Sequence, residues 1–304
     1  MNQQFLTELK AVTAENRIFT DEPMKKHTTF RVGGPADILV QPKGTELAAV
    51  IRLCRKYDVP YQVIGNGSNL LVGDRGIRGL VIEMLSKEDE ICVEDDCITV
   101  GAGMLLSKTA NRAAEHGLTG MEFAAGIPGR IGGAVVMNAG AYGGEMKDIL
   151  TAVTVLDQEG NEKILSAEEL ELGYRTSCIL KKGYIVTGAK IKLKHGEETA
   201  IRARMEELKK QRVEKQPLEY PSAGSTFKRP EGYFAGKLIM DSGLAGYQVG
   251  GAQVSEKHCG FVINAGGATA RDVRTLMDNV RDIVYKKYGV TLEPEVKFLG
   301  DFEA

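Results

Sequence analysis

The sequence predicts a mixed α/β and α+β protein of two domains. Three observations carry that reading: the length, short apolar runs alternating with helical spacing, and a shift to highly charged sequence near residue 200. At ~100–200 residues per domain, 304 residues make two domains or one large one, with ample chain for a buried core. From Asp37 to Val72 the pattern is strand, helix, strand. Ile38-Leu39-Val40 is short and apolar, Leu47, Val50, Ile51 and Cys54 recur at helical spacing, and Tyr61 to Ile64 is extended again.

Further short runs follow at Leu80–Ile82, Ile91–Val93 and Ile98–Val100, around an acidic stretch from Glu88 to Asp96. A helix is expected through Leu105, Leu106, Ala110 and Ala113, closed by His116-Gly117. Thr151 to Leu156 alternates like a half-buried strand, Asp157 to Gly160 turns the chain into Lys163-Ile164-Leu165, and Tyr184 to Leu193 is extended. Glu197 to Gln216 reads as a charged, solvated helix stopped by Pro217. A second α/β region lies beyond it. Its best element is a helix opening at Thr269 with Asp272 as its capping-box partner, an apolar stripe Val273, Leu276, Met277, Val280 and Ile283 or Val284, and Gly289 as its stop. A final strand is expected at Glu295–Leu299. The expected division is therefore 1–200, in two lobes of about 1–85 and 86–200, and 201–304.

Composition excludes several function classes. Lys plus Arg number 39 against 41 Asp plus Glu, a net charge of −2, whereas wrapping duplex nucleic acid calls for a strongly basic surface. Cys54, Cys92, Cys97, Cys178 and Cys259 form no CxxC pair, which suits free thiols in a reducing cytoplasm. His27, His116, His195 and His258 are scattered and make no tight ligand set, so no metal site is expected. No apolar run approaches the ~18 residues of a membrane span, and the first residues lack a signal-peptide profile.

Glycine is the unusual residue: 36 in 304, well above the usual ~7%, and clustered. Gly65-Asn66-Gly67-Ser68-Asn69 follows a strand, but it ends in Leu70 where a dinucleotide fingerprint needs glycine, and no Gly-Lys-Ser/Thr exists for a P-loop. What remains is a tight turn between two strands, able to aim several backbone N–H groups at an anion. Residues 126–144 hold seven more glycines in nineteen positions, with Ala134, Ala139, Ala141 and Asn138 among them. A core helix or strand has no use for so many residues without side chains, whereas a long flat ligand lying on backbone does.

Those two clusters, Ile64–Val72 and Gly126-Ile127-Pro128-Gly129 with Met137–Gly143, resemble the FAD-binding half of the UDP-N-acetylenolpyruvoylglucosamine reductase family. The resemblance continues in order through Tyr174-Arg175-Thr176-Ser177, Gly224–Lys228, Gly250–Val254 and Leu292–Val296. It implies a fold like that of the vanillyl-alcohol-oxidase-type flavoproteins, two lobes holding FAD followed by a substrate domain, with the last strand returning to the FAD domain. Gly65, Asn66, Gly67, Ser68 and Asn69 would hold the FAD pyrophosphate. Gly126, Ile127, Pro128, Gly129, Gly132, Gly133, Ala134, Asn138, Ala139 and Gly140 would lie along the isoalloxazine and ribityl chain.

The activity implied is NADPH-dependent reduction of the enolpyruvyl group on UDP-N-acetylglucosamine, a small-molecule substrate, with no nucleic acid, membrane or obligate protein partner. By motif, Arg175 and Glu295 would polarise the enolpyruvyl carboxylate and Ser225 would give the proton to the α-carbon. Taken singly, an Arg after Tyr is ordinarily a surface ion pair, a Ser after Gly a turn, and a Glu in a terminal strand solvent-facing. Their joint order carries the assignment. Tyr142, Lys228, Arg229 and His258 are the substrate-binding candidates, against core packing for the tyrosine, solvated surface for the two cations and a structural role for the histidine. Cys259 beside His258 is rejected as a nucleophile pair. Only a short span separates Ser177 from the strand at Tyr184, which resembles the family's shorter branch without a substrate-covering tyrosine loop. The competing readings are another FAD-dependent oxidoreductase or oxidase of this fold, and a flavin-binding protein without turnover.

Overall fold

Gly44–Lys56 folds as a helix because its apolar residues Leu47, Val50, Ile51 and Cys54 fall on one face, and Glu46 returns to accept from the Lys43 backbone N–H at 2.9 Å. In the computed structural model, which describes residues 3–86 and 91–302, that face lies on a four-stranded sheet. The strand order is Ile18–Pro23, Pro35–Val40, Ile77–Glu83, Tyr61–Ile64, the last two parallel with Tyr61 opposite Leu80. A helix at Gln3–Val12, not anticipated, adds Phe5 and Leu9 to the same core as Ile38, Val40, Leu80 and Ile82. Of the expected acidic stretch, Glu88 to Glu90 lie outside the described residues.

The second lobe is built on an antiparallel five-stranded sheet in the order Glu162–Ser166, Leu150–Leu156, Ile185–Lys192, Cys97–Gly101, Ile91–Glu94. Helices Leu106–Glu115 and Ile131–Val136 contribute to its core with Ala110, Ala113, Ala134 and Val135. The second of these corrects an expectation, because Gly132 and Gly133 sit inside a helix. At Gly132 the reason is packing: a Cβ there would come within 3.2 Å of the Ala102 Cβ, tighter than ordinary contact, and tertiary contact outweighs glycine's ~1 kcal/mol helix penalty.

The C-terminal region folds around the helix Ala270–Tyr288. Thr269 Oγ1 accepts from the Asp272 N–H at 3.0 Å, Asp272 accepts from the Thr269 N–H at 2.9 Å, and Gly289 closes the helix in the left-handed region at φ 68°. Its stripe Val273, Leu276, Met277, Val280 and Val284 is buried, each side chain contributing about 1.5–3 kcal/mol of transfer free energy. The accompanying sheet runs Ser222–Ser225, Phe261–Asn264, Ala252–Val254, Gln248–Val249. Lys297–Leu299 pairs in parallel with Leu70–Val72.

The compact units are discontinuous in sequence. One holds the chain through Phe19 with Ile38–Asn66 and Gly79–Arg212; the other holds Thr20–Asp37, Gly67–Arg78 and the chain from Val213 on. The expected division near residue 200 is corrected on two counts. The boundary falls within the charged helix Glu198–Lys215, whose composition shift marks where that helix starts, and two N-terminal segments belong with the C-terminal region. Phe30, Val32 and Leu71 from those segments are core residues of the second unit. Among the described residues no helix is long and apolar enough to cross a membrane.

Candidate active site

The Gly65–Asn69 segment is not a hairpin turn. Tyr61–Ile64 pairs with Ile77–Glu83 and Leu70–Val72 with Lys297–Leu299, so the segment passes the chain from one unit to the other between Asn66 and Gly67. On the first unit's side it meets the second glycine cluster, because Asn66 Nδ2 donates to the Pro128 carbonyl at 2.8 Å. A Cβ built on Gly65 would touch the Arg130 stem at 3.4 Å. The backbone after Gly129 is fixed by its neighbours: Leu106 N–H donates to Gly129 O at 3.0 Å and Ile131 N–H to Met104 O at 2.9 Å.

Asn138 organises the remainder of that cluster. It is fully buried with φ at 42°, its Nδ2 donating to Glu145 Oε2 at 2.8 Å and to Gly173 O at 3.1 Å while its Oδ1 accepts from Lys147 N–H at 2.9 Å. Its side chain is thus committed to protein partners, one of them in the turn that presents Arg175. Ala139 N–H donates to Ala134 O at 2.8 Å, and Ile127 and Ala139 pack on the lobe's core. Arg175 Nη2 donates to the Gly140 carbonyl at 3.2 Å, and the guanidinium stands 5.1 Å from the Tyr174 ring centroid. Arg175 and Tyr142 both have positive φ, 55° and 53°, a conformation that costs an ordinary residue about 1–2 kcal/mol and concentrates at functional sites. Ser177 Oγ donates to Val136 O at 2.8 Å, and a short helix, Cys178–Lys182, fills the span before the next strand.

In the second unit, Gly67 has φ 59° and no room for a Cβ, which would lie 2.0 Å from the His27 carbonyl. Ser68 is half-buried beside it. Asn69 Nδ2 donates to the Glu295 carbonyl at 3.1 Å while its own carbonyl accepts from Lys297 N–H at 2.9 Å, so Asn69 positions Glu295, which lies in the segment just ahead of the strand Lys297–Leu299 and not, as expected, within it. The same segment meets Ser225's neighbour: Glu295 N–H donates to Thr226 O at 2.9 Å, and Phe227 forms an isolated bridge with Pro294. Ser225 and Glu295 are therefore brought together, Ser225 on an exposed strand end and Glu295 half-buried. Lys228 Nζ pairs with Glu293 at 3.0 Å, and the Arg229 guanidinium lies 3.9 Å from the Phe234 ring centroid. His258 Nδ1 accepts from Gly260 N–H at 3.1 Å, the ring packs edge-on to Phe261 at 5.0 Å, and burial holds its imidazole below the ordinary histidine range. Cys259 is buried and its thiol pushed up by that burial, which disfavours the nucleophilic thiolate.

Three observations in the first unit fit a bound dinucleotide. Gly133 and Gly143 face open space where a Cβ would meet nothing, and the Arg130 Nε–H is buried with no hydrogen-bond partner among the described residues. An open glycine face accommodates a flat ring, and an unmet cationic donor suits a phosphate. Sequence reasoning passed over Arg130, although a cation inside a glycine cluster was the available signal.

The FAD binding domain profile matches residues 36–166, and the profile of the C-terminal domain of UDP-N-acetylenolpyruvoylglucosamine reductase matches residues 216–299. Proteins named UDP-N-acetylenolpyruvoylglucosamine reductase from Agathobacter rectalis and Lachnoclostridium phytofermentans are 55% and 56% identical to this chain, each over 99% of it and over 100% and 99% of their own lengths. The crystal structure of UDP-N-acetylenolpyruvylglucosamine reductase from Thermus caldophilus superposes with a TM-score of 0.79 at 40% identity, over 91% of this chain and 97% of that one. An alkyldihydroxyacetonephosphate synthase shares only the fold, with a TM-score of 0.51 at 17% identity over 64% of this chain and 41% of its own. Fold and site together define an FAD-dependent oxidoreductase with a vanillyl-alcohol-oxidase-type FAD-binding region followed by a C-terminal α/β domain. Within that class, the chain belongs to the UDP-N-acetylenolpyruvoylglucosamine reductase family.

Proposed function

We propose that this protein uses NADPH and FAD to reduce the enolpyruvyl group of UDP-N-acetylglucosamine enolpyruvate, giving UDP-N-acetylmuramate for peptidoglycan precursor synthesis in the cytoplasm. The observation that carries the reading is the coupling of Ser225 to Glu295 through the Thr226 backbone in a chain of this family. FAD, once reduced by NADPH, would supply the hydride that the enolpyruvyl β-carbon takes up. The other half of the addition across the double bond is a proton at the α-carbon, and Ser225 Oγ gives it, regaining its own from solvent, to which Ser225 is open. Arg175 and Glu295 take the substrate carboxylate, onto which negative charge spreads before that proton arrives. Two features support Arg175 in that role: its loop is tied to the glycine cluster through Asn138 and Gly140, and its positive φ is the kind of strain functional sites keep. The first unit, which holds Gly65, Asn66 and the second glycine cluster with Arg130, is the FAD-binding body. Lys228, Arg229, His258 and Tyr142 are assigned to the nucleotide-sugar substrate.

The test is an anaerobic visible spectrum of the purified protein. NADPH should bleach the flavin bands and the enolpyruvyl substrate should restore them. Ser225→Ala should keep the flavin and its bleaching yet slow product formation by about 10²–10⁴-fold, the usual worth of a positioned acid. Bleaching without restoration in the wild type would point to another flavin oxidoreductase of this fold, and unchanged turnover in the variant would remove Ser225 from its role.

A further inference from the structure

We propose that Arg130 is a cofactor-binding residue whose buried Nε–H donates to an oxygen of the FAD diphosphate; the proposal rests on the FAD-binding reading of the two glycine clusters. Among the described residues the Arg130 side chain makes one hydrogen bond, Nη1 to Gly103 O at 2.6 Å, and no ion pair. A buried guanidinium donor left unmet costs about 1–3 kcal/mol, more when the group is charged, so the arrangement is costly unless something anionic completes it. Burial pulls the guanidinium below its ordinary range, and only the more distant Glu83 carboxylate works against that. Glu83 itself is buried and accepts from Gln41 Nε2 at 2.6 Å.

The position of the donor selects the diphosphate over the rest of the cofactor. The Arg130 stem lies against Gly65, the first residue of the turn whose small residues suit an anion, and that turn is joined to Pro128, two residues before Arg130. The backbone at Arg130 is rigid, because Leu105 and Arg130 form an antiparallel bridge and Gly129 and Ile131 are both bonded to the 104–106 segment. A donor held there needs no rearrangement to meet its ligand.

The test uses the full chain stripped of flavin, titrated with FAD and separately with ADP, which carries a diphosphate and no flavin. Arg130→Gln should weaken both ligands by about 10- to 100-fold, the loss expected for one charged hydrogen bond. Arg130→Lys should fall in between, keeping charge but losing the Nε geometry. The wild type should lose FAD affinity with added salt more steeply than Arg130→Gln does. Flavin-free Arg130→Gln loses the Nη1 bond to Gly103 along with the unmet donor, so the reading is taken from the gain in Tm on adding FAD, which should be smaller than that of the wild type. Wild-type affinity for FAD in Arg130→Gln would overturn the proposal. So would a lower flavin-free Tm with FAD affinity unchanged in the folded fraction, which would make Arg130 a structural prop. Loss of FAD affinity with ADP affinity untouched would also overturn it by moving the contact to the flavin. Failure of the wild type itself to take up FAD would sink the FAD reading first, and this proposal only with it.

Discussion

Asn138 ties three backbone and side-chain partners together from a fully buried position at positive φ. Asn138→Ala removes all three bonds, leaves the Lys147 N–H and the Gly173 carbonyl to find other partners, and puts an ordinary residue in the left-handed region. The expected cost is about 2–4 kcal/mol, read as a shift in the urea midpoint, together with impaired turnover because the Arg175 turn loses its tether. Asp157 is a second residue whose environment makes a measurable statement. The Asn161 N–H donating to it at 2.9 Å, with Lys163 and Glu159 N–H adding to the effect, holds its carboxyl down to about 2 despite its burial. A carboxyl lower in the folded than in the unfolded state contributes stability above pH ~4, and that contribution is lost as pH falls toward 2. Asp157→Asn should therefore flatten the fall in Tm between pH 4 and pH 2; an unchanged acid limb would show that other carboxylates govern it. Neither residue was legible in this detail. Asn138 stands out only as a polar residue among glycines, because its hydrogen bond to Gly173, 35 positions away, leaves no local pattern.

The helix Ala270–Tyr288 was legible because every local signal agrees: capping box, period-3.6 stripe and terminal glycine. One support was not legible. Asp74 carboxylate oxygens accept from the Ala270 and Arg271 N–H groups at 2.8 and 2.9 Å, satisfying two of the four donors a helix start leaves open. Thr269→Ala should cost about 1 kcal/mol and Asp74→Ala about 2–3 kcal/mol, since the second removes two charge-assisted bonds at the positive end of the helix dipole. Urea melts followed by circular dichroism rank the two; an Asp74→Ala melt matching the wild type would mean that the distant carboxylate adds nothing to the local cap. The helix Ile131–Val136 is the opposite case. Its Gly-Gly pair argues against helix by propensity; the close approach to Ala102, invisible in one dimension, accounts for Gly132, while Gly133 faces open space. The ordered motifs give the catalytic candidates and their order, but not the backbone bond from Glu295 to Thr226, which joins segments about 70 positions apart in sequence.

The chain passes between its two compact units at Phe19, Asp37, Asn66, Arg78 and Arg212. Composition marks only the last of these, which is why a single division was expected. A fragment of residues 213–304 lacks Phe30, Val32 and Leu71 from its core and the partner of its last strand. Expressed alone it should show no cooperative melt, and co-expression with 1–212 should restore one; a sharp transition in the isolated fragment would contradict the interleaved core. The parallel pairing of Leu70–Val72 with Lys297–Leu299 also sets a timetable during synthesis. At about 5–20 residues per second, the early strand leaves the ribosome on the order of 10–45 s before the segment that pairs with it. Through that interval it presents an unsatisfied edge. The first unit, whose residues are all made by Arg212, has the opportunity to fold while the second waits for Lys297–Leu299 to be translated.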